Sequence, residues 1–293
     1  MNVITQPIDE KIGQQIINQD NKSILEIYPA EIISLFKEYG VLLFRGFPAD
    51  TERFREFSNL FSTDFLDYAG GAFNRRVINN DQTILSVNDF QTEIRLHGEM
   101  YYQQNIPLML WFFCANPALT DGETTVCDGR QFFAELSNST QELFNQKRLK
   151  FNFSMNQEEW QKKYKIENIN QLEEICKNNY TSLKIYADKS ILIEYICPLV
   201  IPSRCGKYQV FINSLLPTMQ LNPDILKFDD DSEIPAELME ELNEIAERIT
   251  TNINWQKGDI IMIDNTRIMH GRRAFTDKKR EIYIRLCSPN FQS

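Results

Sequence analysis

The chain has 293 residues, with 31 Lys and Arg against 41 Asp and Glu, six cysteines and two histidines. Its net charge of −10 argues against a nucleic-acid partner, because nucleic-acid binding depends largely on clustered basic side chains. The N-terminal sequence lacks the basic and apolar regions of a signal peptide, and no apolar run approaches the ~20 residues that span a bilayer. We therefore expect a cytoplasmic globular protein with reduced thiols and no membrane partner. No repeat or linker appears, so one domain over residues 1–293 is expected.

The first predicted elements are a helix and several short strands. Residues Ala30–Tyr39 carry apolar side chains at helical spacing, and Gly40 follows as a candidate C-cap. The apolar run Val41–Phe47 predicts a buried strand directly afterwards. Two further segments rich in aromatic or β-branched residues, Pro107–Cys114 and Gln209–Asn213, also predict strands.

The C-terminal part combines one helix with two strands. An apolar stripe predicts an amphipathic helix over Ile234–Thr250, and both its acidic face and the preceding Asp229–Asp231 run are expected to be solvated. Trp255–Asp264 predicts a turn and then a strand. In Arg280–Cys287, aliphatic residues alternate with Tyr, Arg and Cys, so one face should meet the core and the other a cavity. This pattern of elements favours a β-rich α+β fold, with Arg148–Val200 as an inserted helical lid.

The two histidines and one carboxylate suggest a metal site. His97 and Glu99 are two residues apart, so in an extended segment both side chains project to the same face and can share one metal ion. His270 follows much later, just after a predicted strand. This is the format of the two-His-one-carboxylate facial triad of non-haem Fe(II) oxygenases. The same set of ligands also suits Zn(II) in a hydrolase, and a jelly-roll binding module without catalysis is a third interpretation.

Four blocks of the sequence, in chain order, carry a family resemblance. They are Leu96–Tyr102 (LHGEMYY), Trp111–Ala118 (WFFCANPA), Asp121–Gly129 (DGETTVCDG) and Asp264–Phe275 (DNTRIMHGRRAF). They closely resemble the taurine dioxygenase-like (TauD/TfdA) family of Fe(II)- and 2-oxoglutarate-dependent dioxygenases, and the His-x-Glu pair is similar to its clavaminate synthase-like branch. The resemblance runs from about Glu31 to the C-terminus. It implies a double-stranded β-helix (jelly-roll) core with flanking helices.

The resemblance also implies roles for individual residues. The catalytic iron ligands would be His97, Glu99 and His270. Thr124 matches a threonine that helps to hold 2-oxoglutarate, and a basic residue after the distal histidine binds the far carboxylate of this cosubstrate. Arg280 and Arg285 are both candidates, although they are five residues apart where the family has two arginines four apart. Arg280 fits the family position better and is favoured for 2-oxoglutarate. Arg285 shares the expected inward parity of Tyr283 and Cys287 and could instead serve the substrate.

Substrate contacts and the reaction are less determined. Met100, Tyr101 and Tyr102 follow the metal pair and are candidates for the substrate site. Arg75 and Arg76 after Gly70-Gly71 lie in a loop that could close over an anionic substrate, but a solvated basic turn is the expected arrangement. The family implies that Fe(II), 2-oxoglutarate and O2 hydroxylate a C–H bond of a small polar, amino-acid-derived metabolite, free or carrier-bound. Desaturation or a related two-electron oxidation in specialised metabolism is the alternative. Halogenation is disfavoured, since halogenases of this class have Ala or Gly where Glu99 stands.

Overall fold

The computed structural model describes residues 4–10, 12–67, 75–88 and 90–291, and the Gly70-Gly71 turn lies outside them. Strands form the frame of the molecule. In chain order they are β1 (Ile4–Pro7), β2 (Gln14–Ile17), β3 (Val41–Arg45), β4 (Asp64–Phe65), β5 (Val77–Ile78), β6 (Asp81–Ser86), β7 (Ile94–His97), β8 (Met109–Asn116), β9 (Thr124–Asp128), β10 (Arg148–Met155), β11 (Ser182–Ile185), β12 (Ile191–Pro198), β13 (Val200–Pro202), β14 (Gln209–Phe211), β15 (Leu226–Phe228), β16 (Thr251–Ile253), β17 (Ile260–Asp264), β18 (Ile268–Arg272) and β19 (Glu281–Ser288).

Helices flank these strands. They are α1 (Pro29–Tyr39), α2 (Thr51–Asn59), α3 (Gly129–Glu135), α4 (Asn138–Gln146), α5 (Gln157–Tyr164), α6 (Ile169–Asn178), α7 (Leu215–Leu221) and α8 (Ala236–Ile249). Helix α1 ends as predicted, because Gly40 adopts φ 73° and its N–H bonds the carbonyl of Phe36. Within the described residues, no helix is both long and apolar enough to cross a membrane.

Two facing sheets form the jelly-roll core. The larger sheet runs β1-β2-β3-β17-β8-β19-β6-β5, with β4 paired to β19, and the smaller sheet runs β16-β9-β18-β7. Aliphatic side chains from both sheets meet between them, including Leu110 of β8, Ile261 of β17, Ile284 of β19 and Val126 of β9. The implied jelly-roll fold is therefore confirmed, and the smaller sheet is the one that carries both histidines.

The outer face of the larger sheet is covered by α1 and α2. Aromatic side chains dominate this layer; Phe57 of α2, for example, packs with its ring centroid 4.9 Å from Phe44 and 5.8 Å from Trp111. Strand β19 is consequently buried on both faces, with Ile282 and Ile284 inside the barrel and Cys287 under the helices. The expectation that one face of this strand meets a cavity is wrong, because the helical layer occupies that side.

The inserted segment, Arg148–Val200, is not simply helical. Its strands β11, β12 and β10 join β15 in a separate four-stranded sheet, against which α5 and α6 pack through Trp160 and Leu172. The polar composition of residues 156–180 predicts helix, and α5 and α6 lie within this range. Strand β12 nevertheless alternates buried and less buried residues at a period of two, which is the pattern of a strand with one face in the core.

The acidic run after β15 is exposed to solvent and also forms ion pairs. Asp229 forms an ion pair with Arg148, Asp230 with Lys147, and Asp231 with Lys150 of β10. These three contacts tie the turn after β15 to the start of β10. The side chains of Asp230 and Asp231 are 53% and 75% exposed, so the expected solvation is confirmed for these two residues. All six cysteines lie within the described residues, and none forms a disulfide; five are buried and Cys205 is exposed.

Candidate active site

The pairing of two strands brings the two histidines together. His97 at the end of β7 and His270 in β18 are direct partners in the antiparallel register, and their ring centroids are 4.4 Å apart. Gly271 makes this pairing close, since a Cβ there would lie 2.6 Å from the carbonyl oxygen of Ile94. Residues 173 positions apart in sequence thereby share one face of the smaller sheet.

Glu99 reaches the same point from a turn rather than from an extended strand. Strand β7 ends at His97, and Met100 adopts φ 64° in the turn that follows. A Cβ on Gly98 would lie 2.3 Å from the ring of Tyr101, so the tight path between the two predicted ligands requires glycine. The buried Asn265 fixes this turn: it accepts a hydrogen bond from the Glu99 N–H at 2.8 Å and donates one to the Glu99 carbonyl at 3.1 Å.

Three ligand atoms converge on a common point. Glu99 Oε2 is 3.3 Å from His270 Nε2 and 3.8 Å from His97 Nε2. His97 Nδ1 lies 2.9 Å from the Arg95 carbonyl, which can only accept, so the ring proton is on Nδ1 and the Nε2 lone pair faces the cluster. Glu99 Oε2 is buried and has no hydrogen-bond partner among the described residues. Two imidazole nitrogens and an unsatisfied carboxylate oxygen fit a divalent metal ion.

The pKa values of His97 and Glu99 favour the protonation states that bind a cation. Burial, together with the neighbouring His270, lowers the pKa of His97 to about 4, so this ring is neutral at neutral pH. Burial alone would raise the pKa of Glu99, but Arg75 and the two histidines outweigh it and hold the pKa well below its usual range. A neutral imidazole and an ionised carboxylate are the forms that bind metal.

Arg75 is a contact of this site that the sequence does not reveal. Its Nη2 lies 3.2 Å from Glu99 Oε1, with only 10% of the Arg75 side chain exposed. The expectation of a solvated basic turn is wrong for Arg75. It holds for Arg76, whose side chain is 56% exposed and pairs with Glu281. No sequence pattern links Arg75 to Glu99, because the pairing depends on the path of the chain between them.

Thr124 and Arg280 are buried side chains with hydrogen-bond donors available for an anion. Trp255 donates its indole N–H to Thr124 Oγ1 at 3.1 Å, so the threonine O–H remains available as a donor. Arg280 is 2% exposed and uses two of its donors, Nε to the Gly122 carbonyl at 3.0 Å and Nη1 to Asn88 Oδ1 at 2.8 Å. Among the described residues no carboxylate forms an ion pair with Arg280. Burial and the nearby Arg272 lower its pKa to about 9, which still leaves it charged at neutral pH.

Arg285, the other candidate, faces the opposite way. It pairs with Trp111 in the register of β19 and β8, on the side covered by α2. Its guanidinium donates to Ser58 Oγ at 2.6 Å and to Asn59 Oδ1 at 2.9 Å in the α2 region, and to Thr83 Oγ1 at 2.9 Å. The structure therefore does not support a cosubstrate or substrate role for Arg285, and the strand face that carries Tyr283 and Cys287 is not the inward face.

A cavity of about 610 Å³ opens beside His97 and Glu99. Of the three candidate substrate residues, Met100 and Tyr102 line it, whereas Tyr101 belongs to the core and donates its hydroxyl to the Asn265 carbonyl at 2.9 Å. Burial raises the pKa of Tyr101 far above its usual value. The inserted segment supplies much of the opposite wall, through Phe151, Phe153, Ile193 and Tyr195.

A jelly roll that brings two histidines and a glutamate together in the ligand set of the facial triad is typical of one class of protein, the non-haem iron dioxygenases. The model of the "Taurine catabolism dioxygenase TauD, TfdA family" matches residues 5–287 of this sequence. The chain belongs to this family and is a dioxygenase, with Fe(II), 2-oxoglutarate and O2 as its cofactor and cosubstrates. The resemblance stated from the four sequence blocks is confirmed.

Two curated proteins are similar over most of their length. The dapdiamide synthesis protein DdaC of Enterobacter agglomerans is 23% identical over 286 residues, covering 89% of this chain and 86% of DdaC. A clavaminate synthase-like protein of Arabidopsis thaliana is 23% identical over 277 residues, covering 87% of this chain and 83% of that protein.

Solved structures share the fold. PvcB of Pseudomonas aeruginosa superposes with a TM-score of 0.64 at 16% identity, over 97% of this chain and 90% of PvcB. A protein from Burkholderia xenovorans, described as a putative alpha-ketoglutarate-dependent taurine dioxygenase, gives a TM-score of 0.63 at 17% identity, over 98% of this chain and 92% of that one. At these identities the likeness concerns the fold.

Proposed function

We propose that this dioxygenase hydroxylates an unactivated C–H bond of a small polar, amino-acid-derived metabolite, with His97, Glu99 and His270 as the iron ligands. The observation that carries the assignment is the convergence of the two Nε2 atoms on the unsatisfied Glu99 Oε2, at 3.8 Å and 3.3 Å. When bound, iron supplies the activation of O2 that couples decarboxylation of 2-oxoglutarate to succinate and CO2 with oxidation of the substrate.

The chain's own residues hold the reactants. Arg280 is proposed to anchor the far carboxylate of 2-oxoglutarate, since a planar guanidinium matches a carboxylate in two parallel hydrogen bonds. Thr124 would donate its free O–H to the same cosubstrate. Both side chains are at least nine-tenths buried, so these donors act where water competes little.

The substrate is proposed to occupy the cavity beside His97. Among the described residues that line it, Glu99 is the one acid, while Lys163 and Lys165 of the inserted segment and Arg75 are cations. In a protein of net charge −10 this local excess of positive charge favours a substrate with an anionic group. The aromatic and aliphatic wall from the inserted segment suits an apolar portion of the same molecule and excludes water from it.

The relatives support a place in metabolite biosynthesis. DdaC is named as a dapdiamide synthesis protein, and PvcB is described as an Fe, alpha-ketoglutarate dependent oxygenase from an isonitrile synthetic pathway. By analogy, this chain would act on a biosynthetic intermediate, free or attached to a carrier.

The test is a screen of amino acids and their derivatives for substrate-stimulated succinate release, with the mass of the product. A gain of one oxygen supports hydroxylation, whereas a loss of two hydrogens would replace it with desaturation. His270→Ala serves as the inactive control, because it removes one proposed ligand. Product formation that needs neither O2 nor 2-oxoglutarate would overturn the proposal in favour of a hydrolase.

A further inference from the structure

The two oxygens of Glu99 have different surroundings. Oε1 faces Arg75 Nη2 at 3.2 Å, whereas Oε2 faces both histidine Nε2 atoms and has no hydrogen-bond partner among the described residues. A carboxylate turned about its Cγ–Cδ bond could exchange these positions or present both oxygens to a metal. The ion pair with Arg75 opposes that rotation, because it holds one particular oxygen away from the histidines.

The position of Arg75 is itself fixed by the barrel. The carbonyl of the next residue, Arg76, accepts a hydrogen bond from the N–H of Ser86 in β6 at 2.8 Å. Ser86 is 1% exposed, so this bond lies within the protein. The Arg75 side chain then crosses to Glu99 at the wall of the cavity. It is therefore supported by a different strand from those that carry the proposed metal ligands.

We propose that Arg75 is a positioning residue for the metal site: it binds Glu99 Oε1 and thereby reserves Oε2 for the iron. This inference rests on the proposed function, since it requires Glu99 to be a metal ligand. Arg75 itself touches neither the metal nor the reacting atoms in this role.

A charge-only interpretation makes the opposite prediction. A cation close to a metal site repels the metal ion, so removing Arg75 should by Coulomb's law strengthen metal binding. Loss of orientation should instead weaken it, and changes to groups that orient metal ligands typically cost about 10- to 100-fold in affinity. The direction of the change in metal affinity therefore separates the two interpretations.

The experiment measures Mn(II) affinity of the full-length apoprotein by calorimetry without 2-oxoglutarate or substrate, so it does not depend on turnover. Arg75→Met should weaken Mn(II) binding by about 10- to 100-fold, and Arg75→Lys, which keeps a charged donor, should recover part of the loss. Arg76→Met is the matched control, because Arg76 is adjacent in sequence but exposed and paired with Glu281, and it should bind Mn(II) like the wild type.

Outcomes for Arg75 and for the proposed function are distinguishable. Mn(II) affinity of Arg75→Met that is unchanged or tighter than that of the wild type would overturn the positioning role and leave the metal site intact. Failure of the wild-type protein to bind Mn(II) would overturn the metal site and this inference together. If the thermal melt shows that Arg75→Met does not fold, Mn(II) affinity is measured for Arg75→Gln instead. This variant should also bind Mn(II) more weakly than the wild type.

Discussion

The replacement Arg280→Met tests the anchor for 2-oxoglutarate. A guanidinium has five N–H donors, and Arg280 uses two of them on Gly122 and Asn88, so three remain for a ligand. A hydrogen bond to a charged group contributes about 1.5–3 kcal/mol, and two parallel bonds to one carboxylate contribute correspondingly more. Since about 1.4 kcal/mol is a factor of ten, we expect 2-oxoglutarate affinity to fall by about 100-fold or more.

The assay is calorimetric binding of 2-oxoglutarate to the Mn(II)-loaded protein under nitrogen, which needs no knowledge of the substrate. Arg280→Lys should restore only part of the affinity, because an ammonium group offers no planar pair of donors. Arg285→Met is the matched control, because Arg285 is a buried arginine of β19 only five residues further along the chain. It should lower the melting temperature, since Arg285 ties α2 to β19, and leave 2-oxoglutarate affinity unchanged. The reasoning is refuted if Arg280→Met binds 2-oxoglutarate within threefold of the wild type, or if Arg285→Met shows the larger loss.

Three further outcomes follow from the site and its supports. Thr124→Val should weaken 2-oxoglutarate binding by about tenfold, because one charge-assisted hydrogen bond is lost. Thr125→Val is the control and should leave the affinity unchanged. Equal effects of the two variants in the same calorimetric assay would contradict this role of Thr124. Gly98→Ala should lower the melting temperature and abolish Mn(II) binding, because its Cβ would lie 2.3 Å from the Tyr101 ring. A variant with the wild-type melting temperature and Mn(II) affinity would contradict this requirement for glycine. Burial alone would raise the pKa of Asp128, but hydrogen bonds from Arg130 and Arg267 lower it below its ordinary value. Its contribution to the free energy of unfolding is therefore present above about pH 4 and lost as the pH falls further. Denaturant titrations of Asp128→Asn should show a lower free energy of unfolding at pH 7 and a smaller loss of it in acid. The same loss in acid as in the wild type would contradict this role of Asp128.

The meeting of His97, Glu99 and His270 can be predicted from the sequence, because few residues of these types are available. With only two histidines in the chain, the pair His97 and Glu99 and the distant His270 leave few other arrangements, and the four family blocks supply the fold. The structure brings these three side chains together as predicted, although Glu99 arrives from a turn. The spacing of two residues does not distinguish a strand from a turn held by Asn265.

The predictions fail where one sequence pattern is compatible with two different structures. Alternation along β19 correctly separates Arg280 from Arg285, but it does not say which face is inward, because both faces are buried, one by the opposite sheet and one by α2. The parity of Arg285 with Tyr283 and Cys287 therefore predicts a position toward the site, whereas Arg285 faces the helices. Arg75 and the ion pairs of Asp229–Asp231 depend on tertiary proximity, and local sequence gives no signal of it.

The direct pairing of His97 with His270 across β7 and β18 separates two tasks in this enzyme. The backbone ladder of the smaller sheet places the two imidazoles side by side, and Gly271 allows the two strands to approach closely there. Part of the wall of the proposed substrate cavity comes from β10 and β12, which belong to another sheet and another stretch of chain. If this cavity holds the substrate as proposed, substitutions at Phe153 or Ile193 would change which molecule binds without altering the three proposed ligands. These two positions are therefore the first to vary in an attempt to change the substrate.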